Sequence, residues 1–220
     1  MIADRLPSAA VARRRGTASP LRWSVARPSH FAGFVIYALL LAGGLGLSSA
    51  FWATKGEYPL GSVAVGAWTT WPKAGSRDAD PYTRAINART GDIPLAVGEG
   101  LILRAAGDDA GRALDTRCAY RIGTTMPQAR YWTLTLYGDA GRPVTGEGRS
   151  SFTSAEVLRD ATGGFVITLS REARSGNWLM MPGSGRVSLV LRLYDTPASS
   201  GSAALDRASV PAIERLECAS

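Results

Sequence analysis

The stretch Arg130-Tyr131-Trp132-Thr133-Leu134-Thr135-Leu136-Tyr137 decides the fold class. Trp132, Leu134 and Leu136 alternate with Tyr131, Thr133, Thr135 and Tyr137, and a period of two puts each set on its own face of a half-buried β-strand. Asp139-Ala140-Gly141 then turns the chain. The pattern returns in residues 186–194, where Val187, Leu189, Leu191 and Leu193 share a face. Shorter strand-like runs occupy 63–71 (ended by Pro72), 99–106, 114–122, 165–170 and 210–216. The second and third of these flank Gly107-Asp108-Asp109-Ala110-Gly111 and read as a hairpin. Asp80 followed by Pro81 reads as a cap and first position of a helix over 82–89, closed by Gly91. Many short strands with one or two short helices predict a mainly β domain over residues 61–218, an antiparallel β-sandwich or jelly roll.

Upstream, residues 31–53 form an apolar run without Asp, Glu, Lys or Arg. As a helix it spans about 34 Å, enough for a hydrocarbon core of about 30 Å. Phe31, Tyr37, Phe51 and Trp52 put aromatic rings toward its two ends. The segment 30–54 is therefore predicted to be one transmembrane helix, a signal anchor. A buried core helix is rarely apolar all round for this length. A cleaved signal peptide competes, since Ser48-Ser49-Ala50 offers small residues for cleavage after Ala50, but the run is longer than the usual h-region of about 7–15 residues. Ala38, Ala42, Gly46 and Ala50 recur every fourth residue, a face that permits a helix-mediated homodimer. Small residues are also simply common in membrane helices.

The formal net charge is +7. Arg5, Arg13, Arg14, Arg15, Arg22 and Arg27 stand against Asp4 alone in the first 27 residues, so most of the excess lies there. The rest is close to neutral with its signs interspersed, which argues against nucleic acid as a partner. Residues 1–29 read as a disordered cytoplasmic tail, and their positive charge keeps that side in the cytoplasm. The domain after the helix is then exported. Two cysteines, Cys118 and Cys218, are too far apart in sequence for a CxxC pair, and in an oxidising compartment they are candidates for a disulfide.

Chemistry is limited by what is missing. His30, at the membrane boundary, is the only histidine, so a Ser-His-Asp or Cys-His pair has no imidazole base in the exported domain. Histidine-based metal sites fall with it, and no metal or cofactor is expected. Gly183-Ser184-Gly185 precedes a strand rather than a helix and does not fit a phosphate-binding fingerprint.

Asp80-Pro-Tyr-Thr-Arg-Ala, Cys118-Ala-Tyr-Arg, Ala129-Arg-Tyr-Trp-Thr-Leu-Thr-Leu-Tyr, Gly176-Asn-Trp-Leu and Leu191-Arg-Leu-Tyr occur here in order. Over about residues 61–218 the chain thereby resembles the bacterial family known as domain of unknown function 1214, short members of which share the membrane-anchored arrangement. The resemblance implies a β-sandwich-like domain and brings no established reaction; the orientation read from the tail and helix places that domain in the periplasm, anchored in the bacterial inner membrane. Relatives carry Pro soon after Asn-Trp-Leu, whereas Met180 and Met181 precede Pro182 here, which puts a ligand role for that loop in question.

Two functions fit these readings. The first is a non-catalytic binding module of the cell envelope, engaging an envelope protein or glycan through one end of the sandwich. Trp68, Trp71, Arg84, Arg130, Asn177 and Trp178 are its candidate ligand-binding residues, with Asn177-Trp178 placed on a loop between strands. Buried core positions explain the tryptophans equally simply. The second is a carboxylate-based hydrolase of envelope glycans, with Asp78, Asp80, Glu99, Asp108 and Asp109 as candidate acids. Capping explains Asp80, and turn formation explains Asp108 and Asp109, without chemistry.

Overall fold

A computed structural model describes residues 30–54, 61–139, 141–146, 148–200 and 205–219. The expected cytoplasmic tail 1–29 and the connector 55–60 lie outside the described residues. Helix α1, His30–Ala53, has 24 residues, none of them buried, and is long and apolar enough to cross a membrane.

The β domain orders its elements as β1 (Val63–Val65), β2 (Trp68–Thr70), α2 (Pro81–Thr90), β3 (Gly100–Ala105), β4 (Cys118–Ile122), β5 (Tyr131–Gly138), β6 (Ser151–Thr153), β7 (Ile167–Ser170), β8 (Asn177–Met180), β9 (Val187–Tyr194) and β10 (Ile213–Cys218). A six-stranded antiparallel sheet runs β1-β2-β3-β9-β5-β6, and a second sheet runs β10-β4-β7-β8. The two alternating runs are direct neighbours: β5 pairs with β9 from Tyr131 opposite Tyr194 to Gly138 opposite Val187. Their inward residues Leu134, Leu136, Leu189 and Leu191 join Leu103 of β3 and meet Tyr120, Ile122, Ile167, Leu169, Leu179 and Ile213 from the other sheet in one core. Each such side chain contributes about 1.5–3 kcal/mol by leaving water.

The helix forms as its sequence dictates. The Asp80 carboxylate accepts the amides of Tyr82 (3.0 Å) and Thr83 (2.9 Å), and Pro81 occupies a position where no amide is needed. Gly91 ends it at φ 72°, a left-handed conformation that disfavours a side chain.

Two expectations are corrected. Residues 107–113 do turn, with the Asp108 amide donating to Arg112 O (2.8 Å) and that of Leu114 to Ala106 O (2.9 Å). Yet β3 and β4 are not a hairpin, because β4 belongs to the other sheet. Leu114 is drawn fully into the core, and the chain after it pairs with the lead-in to β9: the Thr116 amide donates to Gly185 O (3.2 Å) and that of Val187 to Leu114 O (3.3 Å). The second sheet is also mixed, not antiparallel, because β7 and β8 run parallel with Ile167 opposite Asn177. Asn177 accounts for that register. Its side-chain amide donates to Val166 O (3.0 Å), just before β7, and to Leu158 O (2.8 Å), while its oxygen accepts the Leu158 amide (2.7 Å).

Cys118 and Cys218 are disulfide-bonded at facing positions of β4 and β10. The bridge closes a sequence separation of 100 residues and ties edge strand β10 to the interior of its sheet.

Candidate functional site

The six candidate ligand-binding residues disperse. Trp68 is fully buried, its indole N–H donating to Pro211 O (2.7 Å), so its role is packing. Asn177 is 5% exposed and occupied by the bonds that hold β8 beside β7. Trp178 is half-buried within β8, not on a loop, and donates to the backbone oxygen (3.1 Å) and hydroxyl (3.0 Å) of Ser170. Arg84 is exposed on α2 and donates to Arg77 O. Arg130 lies 3.9 Å from Asp195, both side chains largely in solvent, where such a pair contributes little. Trp132, another aromatic of the core, stacks on Phe165 at 5.3 Å between centroids.

Trp71 alone among the six lines a cleft. The space lies between α2 with the chain following it and the outward face of the six-stranded sheet, with a volume of about 790 Å³. Trp71, Ile86, Leu95 and Ile102 give it apolar surface, and Arg104 and Arg142 give it positive charge. Arg104 is paired with Asp92, whereas Arg142 has no ion-pair partner among the described residues. Sequence reasoning passed over Ile102 and Arg104, although β3 alternation exposes the signal: with Leu101, Leu103 and Ala105 inward, Gly100, Ile102 and Arg104 must face out.

The candidate acids are largely engaged in structure. Asp80 caps α2, and Asp109 receives the Ile213 amide (2.8 Å) and the Arg207 guanidinium (2.7 Å). Asp108 is 2% exposed and accepts the Ala110 amide (3.1 Å), the Arg112 amide (2.9 Å) and Arg112 Nε (2.9 Å). Arg215 Nε stands 3.1 Å from its carboxylate without hydrogen-bond alignment, so that attraction is Coulombic. Asp78 and Glu99 are exposed. No group of three or more His, Cys, Asp or Glu residues suited to a metal occurs among the described residues.

Burial works against the charge on Asp108, but the Arg112 bonds and the nearby Arg112 and Arg215 cations outweigh it and hold its carboxyl below the usual range. Asp80 is likewise held low: burial opposes its charge, and the Thr83 hydroxyl with the Thr83 and Tyr82 amides overrides it. A carboxyl depressed on folding contributes stability that is complete above its unfolded pKa of about 3.9 and is lost as pH falls through the folded value. Acid titration followed by circular dichroism accordingly shows stability falling below about pH 4, and Asp108→Asn is less stable at pH 7 with a shallower acid loss. An unchanged acid profile in that variant would contradict the assignment.

Residues 99–198 match the family model described as "Protein of unknown function (DUF1214)". The resemblance to DUF1214 holds. The DUF1214 match is narrower than residues 61–218: it takes in β3 to β9, hence the central pair of the large sheet, and leaves α2, β1, β2 and β10 outside. Among solved structures, the VPA0106 protein from Vibrio parahaemolyticus is similar with a TM-score of 0.50 at 22% identity, covering 64% of this chain and 36% of that one. An uncharacterized protein from Burkholderia cenocepacia gives a TM-score of 0.39 at 18% identity, covering 83% of this chain and 52% of that one. The chain thus spans between about a third and half of the length of these structures, and the first of them shows a shared fold. No curated protein matches the chain.

Proposed function

We propose that the chain is a single-pass protein of the bacterial inner membrane whose DUF1214-containing domain lies in the periplasm and serves as a non-catalytic binding module. The cleft over the outward face of the six-stranded sheet carries this reading. Its volume of about 790 Å³ falls in the range of small-molecule sites, and it combines apolar walls with a few fixed polar groups. Ligand binding thereby moves from the end of the sandwich, where the sequence suggested it, to the face beside α2. The periplasmic location rests on the Arg-rich N-terminal residues, the apolar helix and the disulfide, which fits an oxidising compartment.

The hydrolase alternative is weakened because Asp80, Asp108 and Asp109 are tied into caps, loops and ion pairs. A glycosidase needs two available carboxyl groups facing each other across the bond to be cut, about 5–9.5 Å apart.

The test is native mass spectrometry of the full chain purified in detergent, beside Leu95→Trp, which fills the cleft from the loop side. A stoichiometric bound species in the wild type, reduced about tenfold in Leu95→Trp at unchanged melting temperature, supports the reading. A species retained equally by both proteins, or none in either, refutes it.

A further inference from the structure

A second recess of about 480 Å³ lies where the two sheets are stitched together, away from α2. The segment before β4 meets the lead-in to β9 there, with Asp115 bridged to Arg186. Arg171 enters from the end of β7, and Asp139 from the end of β5. Thr116, Arg117, Asp139, Arg171, Ser184 and Arg186 line it with Asp115 and Gly185, and none of these residues has an aliphatic or aromatic side chain.

Arg117 and Arg171 are held in place, and not all of the cations are neutralised. Arg117 makes a two-pronged pair with Asp115, Nε to Oδ1 at 3.1 Å and Nη2 to Oδ2 at 3.0 Å. That pairing holds the Asp115 carboxyl at about 2, so it stays ionised in any ordinary medium. Arg171 donates to Gly183 O and, at 3.4 Å, to the hydroxyl of the buried Thr116. Among the described residues, neither Arg171 nor Arg186 has a carboxylate partner for its guanidinium. Asp139 is fixed by the Arg186 amide, which donates to its Oδ1 at 3.0 Å. Its Oδ2 lies against Gly185, φ 106°, where an added Cβ would come within 2.4 Å, so the glycine makes room for the carboxylate.

We propose that this recess binds an acidic sugar, a saccharide bearing a carboxylate or a phosphate. Guanidinium groups of Arg171 and Arg186 meet the acid, for which they are the best-matched donors. Asp139 and Ser184 take the sugar hydroxyls, which need acceptors and short polar donors. The volume is far larger than a lone oxyanion requires, and the absence of an aliphatic or aromatic wall disfavours an apolar body. The site shares Asp139 with the cleft beside α2, but Arg171 and Arg186 line this recess and not that cleft, so it stands or falls without it.

The experiment is isothermal titration calorimetry of the full chain in detergent at about 0.15 M salt, an ionic strength that screens adventitious surface binding. The probes are glucuronate, glucose 6-phosphate, glucose and inorganic phosphate. At least one of the two acids should bind about tenfold or more tightly than both glucose and phosphate, and the stronger acid identifies the anion. Arg186→Gln, an exposed change that leaves melting unaltered, should weaken that acid about tenfold. Glucose binding as well as the acids, phosphate alone binding as well as they do, no binding of either acid, or indifference to Arg186→Gln overturns the proposal.

Discussion

Replacing Cys118 and Cys218 together by serine lowers the stability of the β domain by about 3–5 kcal/mol. The sequence separation of 100 residues sets the scale, since releasing a loop of that size returns up to about 4.7 kcal/mol of chain entropy to the unfolded state. Part of the loss is offset because β10 has other attachments. Ile213 is fully buried, its amide is held by Asp109 Oδ2 at 2.8 Å, and its carbonyl accepts the Asp109 amide at 3.0 Å. The strand is thus fastened at both ends by different means, and the cysteine end, where the Ala219 amide donates to Arg117 O at 2.7 Å, loosens first. Thermal melting should fall by about 6–20 °C, using about 2–4 °C per kcal/mol for a domain of this size. Reduced wild-type protein should melt with the double variant; if reduction leaves the midpoint where it was, the bridge contributes nothing.

Asn177→Ala is the second large effect, about 3–4 kcal/mol. Three backbone groups, Leu158 N–H, Leu158 C=O and Val166 C=O, depend on this one side chain in a site that is 5% exposed. Leaving a buried backbone group without a partner costs about 1–3 kcal/mol, and partial access of water to an enlarged site keeps the sum below the maximum. Asn177→Asp tests the mechanism more sharply. It keeps the acceptor for Leu158 N–H but sets a carboxylate against two carbonyl oxygens, so it should be at least as harmful at pH 7 and recover in part on acidification toward pH 4. Chemical denaturation of the three proteins at both pH values reads this out. A harmless Asn177→Asp at neutral pH would mean that the amide does not hold the two strands together.

The large sheet was legible in the sequence for a simple reason. Residues 131–138 and 187–194 each bury one face against the core, so their period of two is strong, and the two runs prove to be partners. The cap at Asp80 and the stop at Gly91 were legible because each rests on a local backbone requirement. What stayed hidden depends on long-range placement. The turn at 107–113 looks like a hairpin locally, and only the burial of Leu114 and the pairing of 114–116 with 185–187 send β4 into the other sheet. The parallel arrangement of β7 and β8 is set by one amide side chain reaching Val166 and Leu158, which no periodicity reports. The candidate sites were read poorly for the related reason that aromatic residues attract attention whether they line a cavity or fill a core. Trp68 fills the core, whereas Ile102, Arg104 and Arg142, which line the cleft, are unremarkable in isolation.

The crosslink between β4 and β10 also imposes an order of events on a chain that emerges from its N-terminal side. When Cys118 appears, both strands that will flank its own, β7 and β10, are still to come, and the residue that will lock it lies 100 positions later. In the interval the domain has its large sheet taking shape while the small sheet keeps an unpaired border and an unreacted thiol. A border of this kind invites pairing with another nascent copy, and a lone thiol invites a mixed disulfide. A thiol–disulfide exchange activity, or a holding chaperone, would protect such a chain for the time it takes those residues to arrive.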